Sequence, residues 1–297
     1  MTYDVVVIGA GPAGLSGAVA LGRALRTVLV IDSGAPRNAP AEGIHNYLTR
    51  DGITPAAFAA AGRDEVLGYG GSIRAGEVVS VAHDGDFTVT LADGSAVSAR
   101  RLLVTTGVVD ELPEIDGIEP LWGRTVLHCP YCHGYEVRGR AIGVIATSEW
   151  AMHAALLWRQ WTPDLILFRN DAFEPDAEQA GQLATRGITV VPGVVTAVDE
   201  GGVTLAGGRR VARDHLVTQT RLTARADFLA SLGLKAVEHP MGIGTYVPAE
   251  DPSGRTSVPG VWVAGNVTDP MGQVITSAAA GLTAGAMINM DLIIEGL

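Results

Sequence analysis

Only two cysteines occur among the 297 residues of the chain, at positions 129 and 132. One such pair cannot staple a chain of this size, which excludes a secreted disulfide scaffold. Aromatic residues make up only 5%. Basic residues are also short: 21 Lys and Arg stand against 32 Asp and Glu, for a formal net charge of -11. Phosphate recognition rests on basic patches, so no nucleic-acid partner is expected. No uninterrupted apolar run reaches the ~18 residues of a membrane span, and no membrane partner is expected. The opening stretch MTYDVVVIGAGPAG lacks the basic segment of a secretory signal. A soluble, cytoplasmic protein is therefore expected. In that setting a C-x-x-C pair is more often catalytic or metal-binding than structural.

What the chain has in quantity is apolar residues and glycine. It is 47% hydrophobic with 38 glycines, and its mean hydropathy is +0.25. That balance predicts a sizeable core in a tight-turned α/β fold and excludes general disorder.

Residues 3–32 read as strand, glycine-rich turn, helix and second strand. YDVVVIG is a short apolar run. GAGPAG follows and sets Gly9, Gly11 and Gly14 at G-x-G-x-x-G spacing. LSGAVALGRAL is helix-like, TVLVID is the second strand, and Asp32 closes it 18 residues beyond Gly14. This is the dinucleotide fingerprint in its proper context. Gly9 permits the turn, Gly11 lets the backbone approach a pyrophosphate, and Gly14 lets helix and strand pack closely. The helix start, with Pro12 and Ala13, offers amide donors to phosphate. Asp32 can accept from a ribose hydroxyl.

Residues 141–171 repeat the layout with different chemistry. AIGVIA is a strand, SEWAMHAALLWRQW a helix and DLILF a second strand. Aligning Ala146 with Gly9 sets Ser148 on Gly11 and Ala151 on Gly14, so both phosphate-facing glycines are gone. Arg169 falls where Asp32 stands in the first half, and Asn170 and Glu174 follow. Two hairpins are also predicted, over 73–99 with an Asp93-Gly94 turn and over 189–217 with turns at 201–202 and 207–208.

Both cysteines lie in HCPYCHGYE, residues 128–136. Cys129-Pro130-Tyr131-Cys132 can cycle between dithiol and disulfide. With His133 it also reads as a c-type haem attachment site, and with His128 as a zinc site. Haem would need maturation outside the cytoplasm. Zinc would need four ligands, and these histidines adjoin the cysteines too closely for tetrahedral geometry. Two inert buried cysteines remain a further reading. The redox pair is favoured because a nucleotide site accompanies it, and no metal is expected.

The segments RRLLVTTGVVDELP (100–113) and SVPGVWVAGNVTDPMGQVITSAAAGLTAGAMI (257–288) complete a wider pattern. With the fingerprint and the C-x-x-C pair, the chain resembles two-domain flavoprotein disulfide reductases of the thioredoxin reductase type. The resemblance implies an α/β fold of two Rossmann-type, three-layer nucleotide-binding domains, the second inserted into the first. Residues 1–113 and 235–297 would bind FAD. Residues 114–234 would be a degenerate NAD(P)H-type domain carrying the cysteines. Beyond the fingerprint, the resemblance implies FAD contacts at Thr106, Gly107, Gly265, Asn266, Gln273, Val274 and Asn46. Asn266 stands where the family has Asp beside the ribityl chain. His45, Asn46 and Tyr47, in EGIHNYLTRDG, would run near the flavin ring. NADPH-using relatives carry H-R-R-D-x-F-R, against Phe168-Arg169-Asn170-Asp171-Ala172-Phe173-Glu174 here, so NADPH binding is doubtful. The resemblance also implies a homodimer.

By position in that pattern, the C-x-x-C opens a helix that favours thiolate, Cys132 lies against the flavin, and Cys129 exchanges with substrate. His133 replaces the usual acid and can move thiol protons near neutral pH. C-P-Y-C-H-G-Y-E resembles the branch of flavin-dependent dithiol oxidases that close disulfides in natural products such as gliotoxin, holomycin and romidepsin. That resemblance implies oxidation of a small-molecule or protein dithiol, with O2 as final acceptor and H2O2 as product. Two alternatives stay open: a disulfide or thioredoxin reductase driven by NADPH or ferredoxin, and a noncatalytic flavin redox sensor.

Overall fold

The structure, a computed structural model, describes residues 2–297. The chain forms two compact units. The first comprises Met1–Ala39, Ile53–Asp110 and Leu222–Leu297; the second comprises Pro40–Gly52 and Glu111–Arg221. In chain order the first unit contributes β1 (Thr2–Ile8), α1 (Pro12–Arg23), β2 (Val28–Asp32), α2 (Pro55–Gly68), β3 (Ser72–Ala75), β4 (Val78–Asp84), β5 (Asp86–Leu91) and β6 (Ala96–Val104). After β7 (Val108–Glu111) come β8 (Val126–Leu127), α3 (Pro130–His133), β9 (Ile142–Ile145), α4 (Trp150–Trp158), β10 (Leu165–Phe168) and α5 (Ala177–Thr185). Then follow β11 (Thr189–Val191), β12 (Val195–Asp199), β13 (Gly202–Leu205), β14 (Arg210–Ala212), β15 (His215–Thr218) and β16 (Arg221–Ala224). The chain ends with β17 (Val237–Glu238), β18 (Thr245–Tyr246), β19 (Val261–Val263) and α6 (Val274–Glu295).

The first unit is built on a seven-stranded sheet in the order β3-β2-β1-β6-β5-β4, with β19 also paired to β6. Strands β1, β2, β3, β6 and β19 run parallel, and β4 and β5 add an antiparallel edge. The run VVVI in β1 is apolar throughout because both faces are buried. Val5 and Val7 join Val28, Val30 and Leu103 in a core shared with residues of α1 and α6. Val6 and Ile8 join Leu29, Ile31, Leu102 and Val104 in a second core on the other face. The β5–β6 hairpin turns at Asp93-Gly94, where Gly94 takes φ +82° and the Asp93 carboxylate accepts from the Ser95 amide at 2.9 Å.

Helices α1 and α6 meet backbone to backbone. A Cβ on Gly281 would lie 1.9 Å from the Ala13 carbonyl oxygen, and one on Gly285 would lie 2.8 Å from that of Gly17. Only glycine allows this approach. By length and composition alone α6 is apolar enough to cross a membrane; here one of its faces is packed on α1.

The second unit holds a five-stranded parallel sheet in the order β11-β10-β9-β15-β8. Trp158 of α4 is fully buried against β9 and β10 residues. Beside it, β12, β13 and β14 form an antiparallel meander. The span 189–217, expected as one hairpin, is therefore divided: its ends, β11 and β15, join the parallel sheet, and only its middle turns back on itself.

Two boundaries differ from the sequence reading. Residues 222–234, expected in the insert, belong to the first unit, because Ala224, Ala226, Leu229 and Leu234 fill its core. Residues 40–52, expected with the FAD domain, belong to the second, where the Asn46 side chain donates to the Tyr131 carbonyl of the C-x-x-C turn.

Candidate functional site

In the first unit the fingerprint glycines each meet a different demand. Gly9 sits at φ +105°, and a Cβ there would lie 2.6 Å from the Thr105 carbonyl oxygen. Gly14 is tighter still, with a Cβ only 1.9 Å from the Gly9 oxygen. A Cβ on Gly11 would meet nothing within 4 Å. Protein packing therefore fixes Gly9 and Gly14, while Gly11 guards open space at the start of α1. No side chain caps α1, whose first residues are Pro12 and Ala13. An uncapped helix start beside open space suits a phosphate.

Asp32 closes this turn. Its Oδ1 accepts from the Ala10 amide at 3.1 Å, and its Oδ2 pairs with Arg63 at 2.8 Å. A carboxylate has about four acceptor positions, so Asp32 retains capacity for a ribose hydroxyl. Arg63 carried no signal in the sequence; it lies mid-helix in α2, 31 positions from its partner. Thr105 was also missed. Its hydroxyl donates to the carbonyls of Ile8 and Gly9, tying β6 to the fingerprint turn. Thr106, expected as a cofactor contact, donates its hydroxyl to the Arg225 carbonyl at 2.7 Å. Gly107 takes φ +71° beside it.

The Gly265-Asn266 turn lies against the same helix starts. Gly265 has φ +75°, and a Cβ there would lie 2.9 Å from that of Ala13 and 3.7 Å from that of Ser277. The Asn266 Nδ2 donates to the carbonyls of Asp269 (2.9 Å), Pro270 (3.3 Å) and Gly272 (2.8 Å). Among the described residues nothing donates to its Oδ1, which is left to accept from a ligand. A carboxylate could not donate to any of these carbonyls. Gln273 forms the start of α6, again without a side-chain cap, and Val274 is the first helical residue. These features fit FAD: open space at Gly11, two uncapped helix starts, an acid at Asp32 and an acceptor at Asn266. They would hold its pyrophosphate, ribose and ribityl chain, and the bound group would supply two-electron acceptance.

The repeat in the second unit is closed on itself. Ser148, at the Gly11 position, has its hydroxyl 3.3 Å from both the Trp150 amide and the Gln219 side chain. Asn170, at φ +52°, donates to the Ala146 carbonyl at 3.0 Å and accepts from the Val195 amide at 2.8 Å. It thus joins the turn to the strand end where a nucleotide would lie. Arg169 forms an ion pair with Glu174.

The C-x-x-C pair is held in a single turn. Cys129 precedes α3, and its carbonyl accepts from the amides of Cys132 and His133, each at 3.2 Å. Both cysteines are half-buried. The helix expected to begin here is only four residues long. So few aligned peptides make a weak dipole. The turn is anchored by an edge-on contact of Tyr131 with Trp161. A Cβ on Gly134 would lie 2.9 Å from the Trp161 ring. Among the described residues no group of three or more His, Cys, Asp and Glu is arranged to hold a metal ion.

Loop 42–52 lies against this turn. The Asn46 Nδ2, expected at the cofactor, donates to the Tyr131 carbonyl at 2.7 Å, between the two cysteines. His45 stands between two carboxylates: Nδ1 is 3.3 Å from Asp51 and Nε2 is 3.5 Å from Glu136. His133 is half-buried. Burial pushes its pKa below the ordinary imidazole value; Glu136 and Glu42 oppose this, and His45 adds to it.

Two nucleotide-type α/β units, the second interrupting the first and bearing a C-x-x-C turn, define a flavin-linked disulfide oxidoreductase. The chain belongs to the pyridine nucleotide-disulphide oxidoreductase family, whose model matches residues 3–281. It is 32% identical to the thioredoxin reductase sirT of Leptosphaeria maculans, over 97% of this chain and 94% of that one. The solved structure of HlmI superposes with a TM-score of 0.92 at 43% identity, covering 99% of this chain and 94% of that one. An oxidoreductase from Agrobacterium tumefaciens superposes at 0.94 with 37% identity, covering 99% of both chains. The protein is a thioredoxin reductase-like, FAD-dependent disulfide oxidoreductase.

Proposed function

We propose that the protein is a dithiol oxidase, closing a disulfide in its substrate with oxygen as final acceptor and hydrogen peroxide as product. The observation that carries this reading is the closed second repeat: Asn170 ties Ala146 to Val195, and Glu174 neutralises Arg169. These contacts occupy groups that a pyridine nucleotide would use, which supports another electron donor, and a dithiol substrate is one. The balance is one dithiol plus O2 giving one disulfide plus H2O2.

In the oxidised pair, a substrate thiolate attacks the Cys129 sulfur. A mixed disulfide forms, the Cys129–Cys132 bond breaks, and Cys132 leaves as thiolate. The second substrate thiolate then attacks the substrate sulfur of the mixed disulfide, and Cys129 leaves. The substrate loses two electrons and two protons. His133 takes the thiol protons, and its lowered pKa keeps it neutral, and able to accept, below ordinary imidazole values. FAD, held at Gly9, Gly11, Gly14, Asp32 and Asn266, would supply the two-electron acceptance that links the cysteine pair to oxygen.

Under anaerobic conditions a small dithiol is expected to bleach the flavin readily, and NADPH slowly or not at all. The curated relative in Leptosphaeria maculans is named a thioredoxin reductase, which favours the second reading, reduction of a disulfide at the expense of NADPH. Rapid bleaching by micromolar NADPH would establish that reading instead. His133→Ala should keep FAD yet slow the dithiol reaction by ~10²–10⁴-fold, the usual contribution of a general acid–base group. Wild-type turnover in that variant across the pH range would remove His133 from the mechanism.

A further inference from the structure

Loop 42–52 is more strongly constrained than a connection requires. Asn46 takes φ +60°, and Thr49 takes φ +74°, which is rare for a β-branched residue. Such backbone persists only where its surroundings enforce it, and it gathers at working sites. Here the enforcing contacts are the Asn46 amide on Asp51 Oδ1 at 2.8 Å and the Asn46 side chain on the Tyr131 carbonyl. Together they hold the His45 ring between Asp51 and Glu136. Glu136 stands three residues beyond His133 on the same turn. The Glu136 side chain is 43% exposed, the His45 ring 24% and the Asp51 side chain 68%, so these groups connect the half-buried His133 to solvent, with His45 the most enclosed of the three.

We propose that His45 is a positioning residue of the redox site: it holds the Glu136 carboxylate beside His133 and carries the proton that His133 takes from thiol out to Asp51. The proposal rests on the role given to His133 above. The proton passes from the His133 imidazolium to the Glu136 carboxylate and then to His45 Nε2. His45 releases its Nδ1 proton towards Asp51 and water. A neutral imidazole can accept on one nitrogen and donate from the other, so each transfer conserves charge and protons. The groups facing His133 are Glu136, His45 and Glu42. Those facing His45 are Asp51 and Glu136. The Cys129 and Cys132 thiols flank the turn.

These charges give the proposal a signature that a structural role lacks. The His45 imidazole beside it lowers the proton affinity of His133, and the Glu136 carboxylate raises it. His45→Gln and Glu136→Gln should therefore move the pH midpoint of thiol exchange in opposite directions. The FAD-loaded protein is reduced with dithiothreitol and desalted anaerobically. Its reaction with dithionitrobenzoate is then followed across the imidazole range. This exchange does not depend on the direction of electron flow or on the final acceptor. Failure of the dithiol-oxidase reading appears separately, as bleaching by NADPH.

In His45→Gln the midpoint should rise and the rate fall about tenfold, less than the ~10²–10⁴-fold expected of His133 itself. In Glu136→Gln the midpoint should fall. A wild-type rate and midpoint in His45→Gln overturns the proposal. So does a slower reaction with an unmoved midpoint, or a shift of the same sign in both variants. Should His45→Gln fail to retain FAD, Asp51→Asn tests the chain from its exposed end. Slower exchange is then expected, and a wild-type rate overturns the proposal.

Discussion

Replacing either cysteine with serine is expected to abolish dithiol-dependent turnover while FAD stays bound. A serine oxygen cannot form or break a disulfide, so no electron pair can leave the substrate by this route. FAD should remain because the residues fitted to hold it, from Gly9 to Val274, belong to the first unit, and the cysteines to the second. The two variants should still differ. Cys129→Ser leaves Cys132, and its lone thiolate should give the bound flavin a long-wavelength absorption band. Cys132→Ser should give none. The band appearing in Cys132→Ser instead would exchange the two assignments. Turnover surviving in both variants would remove the pair from the chemistry altogether.

The nucleotide fingerprint was legible in the sequence because its physics is local. Gly9, Gly11 and Gly14 are set by one turn, and the apolar run of β1 follows from burial on both faces. What surrounds them was not legible, because it is made by distant residues. Arg63 reaches Asp32 across 31 positions, and Thr105 reaches the Ile8 carbonyl across 97. Loop 42–52 follows the fingerprint in sequence, which gives it an expected place near the flavin ring; its contact with the C-x-x-C turn was not legible, because Asn46 meets Tyr131 85 positions away. The end of the insert was misplaced for a similar reason. Leu229 and Leu234 are apolar in any setting, and only the folded chain shows which core they fill. The loss of glycines in the second repeat could be read directly. That Asn170 would bridge the gap could not, since its partners lie 24 and 25 positions away on either side.

Three glycine-to-alanine variants should separate the fold from the cofactor. In Gly281→Ala the new Cβ would lie 1.9 Å from the Ala13 oxygen and 2.6 Å from its carbonyl carbon. Both are backbone atoms, so α6 must move away from α1. Overpacking costs typically ~1–3 kcal/mol, occasionally more, and a clash with backbone places this variant at or above the upper end. At about 2–4 °C per kcal/mol for a folding unit of some 150–250 residues, the first unit, which holds both helices, should melt roughly 6–12 °C lower in the FAD-stripped protein. Gly68→Ala is the control. It sits in the last turn of α2 with nothing within 4 Å of its Cβ, and it should hold or slightly raise the melting temperature. Gly11→Ala is the decisive case. Its Cβ also meets no protein atom within 4 Å, so the stripped protein should melt like wild type. That Cβ nevertheless occupies the space open to a pyrophosphate, and FAD affinity should fall at least about tenfold, ~1.4 kcal/mol. Thermal melts of the stripped proteins and flavin titrations of each variant check all three. A Gly11→Ala protein that takes up FAD like wild type would move the phosphate site away from the start of α1. A Gly281→Ala protein that melts like wild type would show that the two helices pack less closely than their glycines permit.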